Sequence, residues 1–372
     1  MSARFLTVVL ERAFNMRDGF GREIDYMRIS VIDSCNLNCY YCNPCDNNEH
    51  CHALNILSVK EVLCIVRAAT RLGIKHFRLT GGEPLLHPQL DEMVLQIKKI
   101  PGVSSVSLTT NAVLLAQHAK WLKEAGIDSI NVSLDTIDAS EYERITKKPL
   151  LEEVKHGINA AIECGIRVKI NVVLTPQTDV VALTRYASKK GTDIRFIEMM
   201  PVGEGHTNGV EPYEKVIGAL LEVYGTPCHI DTENRKEINS GYNNADNGPA
   251  EYYSFHGLDI RVGLIQAIHG KFCDTCNRIR VTADGRLMPC LGSSVTMDLV
   301  PDSWDFADDV EKDFAIVRAL RAAIKAKPRC HNFNDNAVTY TKTTETKTVE
   351  TKATELKAVE VNAARNMSRI GG

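Results

Sequence analysis

The sequence lacks a hydrophobic run fit to cross a bilayer, the stretch Phe5 to Leu10 being too short. No secretory core with a cleavage site opens it. Its first residues hold Arg4 and Arg12 but also Glu11 and little serine, which argues against a transit peptide. Net charge is only −3, so neither nucleic acid nor a membrane is implied as a partner, and an anionic substrate would have to be met by local basic residues. The 12 cysteines are clustered, not spread as disulfide partners, which points to a reducing cytoplasm. With 372 residues, 44% apolar and 24% charged, there is length for about two domains with ordinary cores.

A fourth ligand is also missing where one might be sought. Cys35, Cys39 and Cys42 follow an apolar run, Tyr26 to Ile32, that reads as a strand, so three thiolates hang from its C-terminal end. A cubane iron–sulfur cluster usually takes four cysteines. Three would leave one iron open to hold a cofactor, with Tyr41 as a shield. Zinc knuckles prefer paired Cys-x2-Cys units, although Cys45 and Cys51 are near enough in sequence to close a zinc site. The Cys-x3-Cys-x2-Cys spacing resembles that of the radical S-adenosylmethionine enzymes.

Beyond the cysteines, Ser58 to Glu61 is a capping box opening a helix that stops at Gly73. Strands are expected at His76 to Thr80, Val103 to Thr109, Ser129 to Leu134, Arg167 to Leu174 and Asp193 to Met199. Helices are expected at Pro88 to Lys99, Leu114 to Gly126, Leu151 to Gly165 and Val180 to Gly191. This alternation predicts a parallel barrel or doubly wound sheet, with chemistry at the strand C-terminal ends. Gly81, Gly82, Glu83, Thr109, Thr110, Asn111, Ser133, Asp135, Lys169, Asn171, Glu198, Met199 and Met200 fall there. Singly each has a plainer reading: a turn for the glycines, a helix cap for Asp135, core packing for the methionines.

The alternation is expected to stop near Val202, and Glu233 to Pro249 to be irregular. Cys273, Cys276 and Cys290 then form a second triad without a clear fourth partner, Cys330 and His269 being the candidates for a zinc site. An Asp284-Gly285 turn would return Cys290 towards the other two, and Arg278 and Arg280 would leave that hairpin by one face, where paired guanidiniums suit phosphate oxygens. Trp304 to Lys327 reads as an acidic helix. Thr339 to Glu360 is of low complexity, expected to be a tether or frayed helix, and the chain ends in Gly371-Gly372, slim enough to thread a narrow site.

Arg28-Ile29-Ser30, the first triad, Arg78 to Pro84, Asn131 to Asp135, Arg195 to Glu198, the second triad with its arginines, and the Gly-Gly end resemble the molybdenum cofactor biosynthesis A family, the GTP 3′,8-cyclases of the radical S-adenosylmethionine superfamily. The likeness runs from about Gly19 to Phe333 and resumes at the last residues. It implies an α/β fold: a partial (βα)6 TIM-type barrel over 1–205, an α+β domain carrying a second iron–sulfur cluster over 206–330, and a flexible tail over 331–372. It implies two [4Fe–4S] clusters, one on Cys35, Cys39 and Cys42 and one on Cys273, Cys276 and Cys290. S-adenosylmethionine would meet Tyr41, Gly82, Ser133 and Met200. GTP would meet Arg28, Arg78, Thr109, Lys169, Arg278, Ile279 and Arg280. Arg278, Arg280, Gly371 and Gly372 would serve catalysis. The implied reaction uses a 5′-deoxyadenosyl radical to join C3′ and C8 of GTP, giving 3′,8-cyclo-7,8-dihydro-GTP. It needs an external one-electron donor and a downstream cyclic-pyranopterin-forming enzyme, and is compatible with a homodimer.

The chain departs from the family at Asn43-Pro44, where Met usually precedes the proline, and at Ala112, where Gly is usual, so a left-handed turn is not expected there. Two other readings remain at this point: a radical enzyme acting on a peptide or another small molecule, and a zinc-stabilised binding module.

Overall fold

Alternating apolar residues shape the centre of a computed structural model that describes residues 16–42, 55–202, 210–230, 248–293, 295–299, 309–331, 333 and 358–360. Five short buried strands follow one another with helices between: β1 (Tyr26–Ser30), β2 (His76–Thr80), β3 (Ser105–Thr110), β4 (Ser129–Ser133) and β5 (Val168–Val173). A sixth, β6 (Asp193–Ile197), completes the parallel series. The intervening helices are α1 (Val59–Arg71), α2 (Leu90–Lys98), α3 (Leu115–Glu124), α4 (Ala139–Thr146), α5 (Leu151–Glu163) and α6 (Val180–Lys189). Helix α1 starts as the capping box requires. Ser58 N–H donates to Glu61 Oε2 at 2.6 Å and Glu61 N–H to Ser58 Oγ at 3.3 Å, and Val62, Ile65, Val66 and Ala69 form its buried face.

Past Val202 one more helix is added before strand follows strand with no α-helix between. Helix α7 (Pro212–Tyr224) leads to β7 (Cys228–Ile230), β8 (Glu251–Ser254) and β9 (Val262–Ile265), and β9 joins β6 in parallel. These strands are three or four residues long and one carries Gly263, too brief a pattern to read from periodicity. On the other side β10 (Arg278–Val281) lies parallel to β1, followed antiparallel by β11 (Arg286–Met288) and β12 (Val295–Asp298). Among the described residues the sheet has thirteen strands, the last being β13 (Ala358–Glu360), in the order β13-β12-β11-β10-β1-β2-β3-β4-β5-β6-β9-β8-β7, with two free ends, so the barrel is open. The last helix, α8 (Asp309–Lys325), packs on α1. Of the low-complexity segment only Ala358–Glu360 is described, and it is an edge strand, β13, not a frayed helix.

One backbone expectation fails. Ala112 does adopt a left-handed conformation, φ 64°, at a cost of about 1–2 kcal/mol for an L-residue. The turn is held because its carbonyl lies against Gly157 of α5, where a Cβ would come within 2.4 Å of Ala112 O. Gly157→Ala should therefore destabilise the protein by about 1–3 kcal/mol in urea unfolding, while Ala112→Gly should not. An unchanged midpoint for Gly157→Ala would contradict this packing.

Candidate active site

The first cysteine loop is built by backbone pairing that outlasts the strands. Val31 N–H donates to Thr80 O, Gly82 N–H to Ile32 O and Glu83 N–H to Ser34 O, at 2.8–2.9 Å. A Cβ on Gly82 would stand 2.1 Å from Ser34 O and one on Gly81 2.4 Å from Ile32 O, so glycine is required here by close approach of two chains. The far side of the loop is held by the end of α4, through Asn38 N–H to Thr146 O at 3.0 Å and Tyr40 N–H to Ile145 O at 3.1 Å.

Two buried carboxyls fix this rim. Glu83 accepts from Thr110 Oγ1 at 2.6 Å, Asn111 N–H at 2.7 Å and Leu85 N–H at 3.0 Å, yet burial outweighs those bonds and carries its carboxyl up to about 7. Asn111 in turn donates to Asn36 at 2.7 Å, beside Cys35. Asp135 accepts the Tyr41 hydroxyl at 2.5 Å and Val173 N–H at 2.8 Å, and burial moves it to about 6. It is not a helix cap: Asp138 caps α4, accepting Glu141 N–H at 2.8 Å.

The second triad lies at the other end of the strands. Cys276 comes just before β10, whose Arg278 pairs with Tyr26 at the start of β1, whereas Cys35 comes just after β1 ends. Five residues of β1 at roughly 3.3 Å each separate the two levels by about 16 Å. The turn at Gly285, φ 74°, reverses the chain so that β11 runs back and delivers Cys290 to the same end. Arg22 clamps this end. It is paired with Asp18 at 2.6 Å and donates to Cys273 O at 2.6 Å, Pro328 O at 2.6 Å and Arg329 O at 2.9 Å.

Between the triads stands a bank of cations. The parallel register sets Arg280, Arg28 and Arg78 side by side on β10, β1 and β2, with Arg278 next to Tyr26 one pleat away. Arg78 donates to the Tyr26 hydroxyl, and the guanidiniums of Arg278 and Arg78 lie 5.6 and 6.0 Å from its ring. Burial would raise the Tyr26 phenol, but Arg78, Arg278 and Arg28 pull it down to about 8. Burial and then its neighbour Arg278 lower Arg280 to about 10. Arg195 donates to Asn171 Oδ1 at 2.9 Å and leaves Nη2 buried without a protein partner. Gly263 makes room for it, a Cβ there lying 2.9 Å from Arg195 Cγ.

All of this surrounds one cavity of about 330 Å³, within the range of small-molecule sites. The structure brings into its wall all six triad cysteines, Tyr41, Gly82, Ser133 and Met200, and Arg28, Arg78, Thr109, Arg278 and Arg280. It does not bring in two expected residues. Ile279 alternates to the opposite face of β10 and its side chain is in the core, 1% exposed. Lys169 is buried on β5 and does not line the cavity, and burial, Arg195 and Arg167 drop its amine to about 5. Gly371, Gly372, Cys45, Cys51 and the Asn43-Pro44 departure lie outside the described residues. His269 is held by Glu198 and is not in the wall, nor is the exposed Cys330. Tyr26, Asn131, Arg195, Lys327 and His331 line the cavity without having been singled out as ligands; Arg195 was visible only within its motif.

The triads fit iron–sulfur clusters by their chemistry. No described cysteine is in a disulfide. Cys35 opens onto the cavity, yet burial pushes its thiol up to about 11, and burial followed by Cys42 and Asp135 raises Cys39 well above its ordinary value. Such thiols give up their protons to a metal. Among the described residues no three His, Cys, Asp or Glu side chains close on a single ion. A cube differs from zinc in giving each thiolate an iron of its own.

Because Glu83 binds its proton more tightly folded than unfolded, it makes stability fall as pH rises from about 4.5 to about 7. Glu83→Gln removes that loss, so its melting temperature relative to wild type should climb between pH 5 and pH 7. A flat or falling difference would contradict the burial of this carboxyl.

Residues 29–184 match the radical SAM superfamily and residues 192–333 the molybdenum cofactor synthesis C family. The chain is 36% identical over 322 residues to a GTP 3′,8-cyclase of Clostridium perfringens strain SM101, covering 86% of this chain and 95% of that one. It is 38% identical over 326 residues to a GTP 3′,8-cyclase of Moorella thermoacetica, covering 86% and 96%. Among solved structures, Streptococcus suis SuiB bound to S-adenosylmethionine shares the fold, with TM-score 0.53 and 16% identity over 80% of this chain and 65% of that one. A radical SAM barrel, a matching C-terminal half and identity along nearly the whole length of those relatives have one reading: the chain belongs to the GTP 3′,8-cyclase family of the radical S-adenosylmethionine superfamily.

Proposed function

We propose that this chain converts GTP to 3′,8-cyclo-7,8-dihydro-GTP, the first step of molybdenum cofactor biosynthesis, in the cavity between its two cysteine triads. The observation that carries the proposal is the bank of Arg28, Arg78, Arg195, Arg278 and Arg280 in one cavity wall. So many cations facing one another below the surface call for a polyanion, and a triphosphate supplies it. Cys35, Cys39 and Cys42 would hold a [4Fe–4S] cluster with S-adenosylmethionine against Tyr41, Gly82, Ser133 and Met200. Cys273, Cys276 and Cys290 would hold a second cluster, beside the guanine. When bound, these groups supply the one-electron chemistry that joins C3′ to C8.

The protein's own part is placement. The arginines hold the phosphates, Tyr41 tied to Asp135 covers the first triad, and the barrel wall keeps water from the reacting carbons. Thr109 would contact GTP directly and Lys169 would support the phosphate end from β5. Gly371 and Gly372 would complete the site. We assign residues 1–205 to the radical barrel, 206–330 to substrate and second cluster, and 331–372 to the tail, noting that one sheet runs through the first two. An external one-electron donor, a downstream cyclic-pyranopterin-forming enzyme and a homodimeric state complete the proposal. No helix among the described residues is long and apolar enough to cross a membrane, and described cysteines that form no disulfide favour a reducing cytoplasm.

The test is GTP binding by calorimetry on anaerobically reconstituted protein. Arg278→Ala with Arg280→Ala removes two charge-assisted contacts worth about 1.5–3 kcal/mol each, so GTP affinity should fall by at least about 100-fold while S-adenosylmethionine binding is kept. GTP binding unchanged in the double variant would overturn the phosphate role of this wall and return the peptide-modifying alternative.

A further inference from the structure

Lys327 follows α8 and is 3% exposed, an unusual depth for a lysine. Its Nζ donates to Arg278 O at 2.8 Å and to Pro289 O at 2.8 Å. Those carbonyls belong to the residue two places after Cys276 and the residue just before Cys290, so one ammonium ties both arms of the second triad. An ammonium has three protons and these bonds use two. The charge also acts on Cys276, where Lys327 and Arg278 outweigh burial and draw the thiol down. At the first triad the charged neighbours are carboxyls instead, Glu83 acting on Cys35 and Asp135 on Cys39, and both push the thiols up. Cys276 therefore sits in surroundings opposite to those of Cys35 and Cys39.

We propose that Lys327 is a positioning residue for the second triad, which aligns Cys276 and Cys290 and, through its charge against the Cys276 sulfur, raises the reduction potential of the cluster held there. Hydrogen bonds and net charge at the sulfurs are established determinants of cluster potential. The inference rests on the second-cluster reading above. It distinguishes the two clusters of one cavity, the first set to deliver an electron and the second biased to accept one more readily.

The experiment uses the full chain carrying Cys35→Ala, Cys39→Ala and Cys42→Ala, reconstituted anaerobically so that only the second triad can hold iron. The midpoint potential is read by a redox titration followed by electron paramagnetic resonance, in this parent and with Lys327→Arg, Lys327→Gln or Lys327→Met added. The expected order is Arg close to the parent, with Gln and Met shifted to more negative potentials. Should Lys327→Met fail to accumulate as folded protein, the Arg and Gln variants decide alone, because both can donate hydrogen bonds and only one is charged. Equal potentials across variants that keep their iron would overturn the role of Lys327 and leave the second cluster standing. A parent without iron would remove the second-cluster reading and this inference with it.

Discussion

The constraint on which the structure turns is repulsion among arginines. Parallel pairing of β10, β1 and β2 forces Arg280, Arg28 and Arg78 into one row, and strand alternation keeps Arg278 in the same wall. Their effect is plain in Tyr26, drawn down to about 8 against its burial, and adds to burial in Arg280, drawn down to about 10. Neutral acceptors support part of the row, the Tyr26 hydroxyl and Leu108 O around Arg78 and Asn171 around Arg195. No carboxylate is in the wall beside the row; Asp135 belongs to the far rim. An anionic substrate would add counter-charge to this row, and its binding would contribute to the stability of the loaded protein.

Around that row, each triad is positioned by backbone and not by its own side chains. The first depends on continued pairing of residues 31–34 with the turn after β2, which only glycine at 81 and 82 allows. The second depends on Arg22 and Lys327, whose donors converge on carbonyls of Cys273, Arg278 and Pro289. Both devices place rigid strands behind the reacting groups, the arrangement that holds a site to sub-ångström tolerance.

Much of this was legible in the sequence. The parallel strands were read because both faces are buried and the apolar runs are continuous, and the arginine pair because strand alternation fixes which side chains share a face. What escaped was set by tertiary contact. Ala112 takes a left-handed turn that its own side chain disfavours, because Gly157 leaves space for it. Helix α4 is short and its cap lies three residues beyond the aspartate that seemed the candidate. Strand β9 is four residues with a glycine inside, and Gly263 is there for the sake of Arg195 on the neighbouring strand. Arg22 and Lys327 are single basic residues in unremarkable surroundings, and 251 and 38 positions respectively separate them from the carbonyls they hold at Cys273 and Pro289.

The central claim is that two clusters face one substrate cavity. It is tested most directly by iron and acid-labile sulfide per chain, with GTP binding, in anaerobically reconstituted wild type and in the Cys273→Ala, Cys276→Ala, Cys290→Ala variant. The account predicts about eight irons falling to about four, with GTP binding lost and the first triad still loaded. About four irons in the wild type, zinc in place of iron, or undiminished GTP binding in the variant would contradict it.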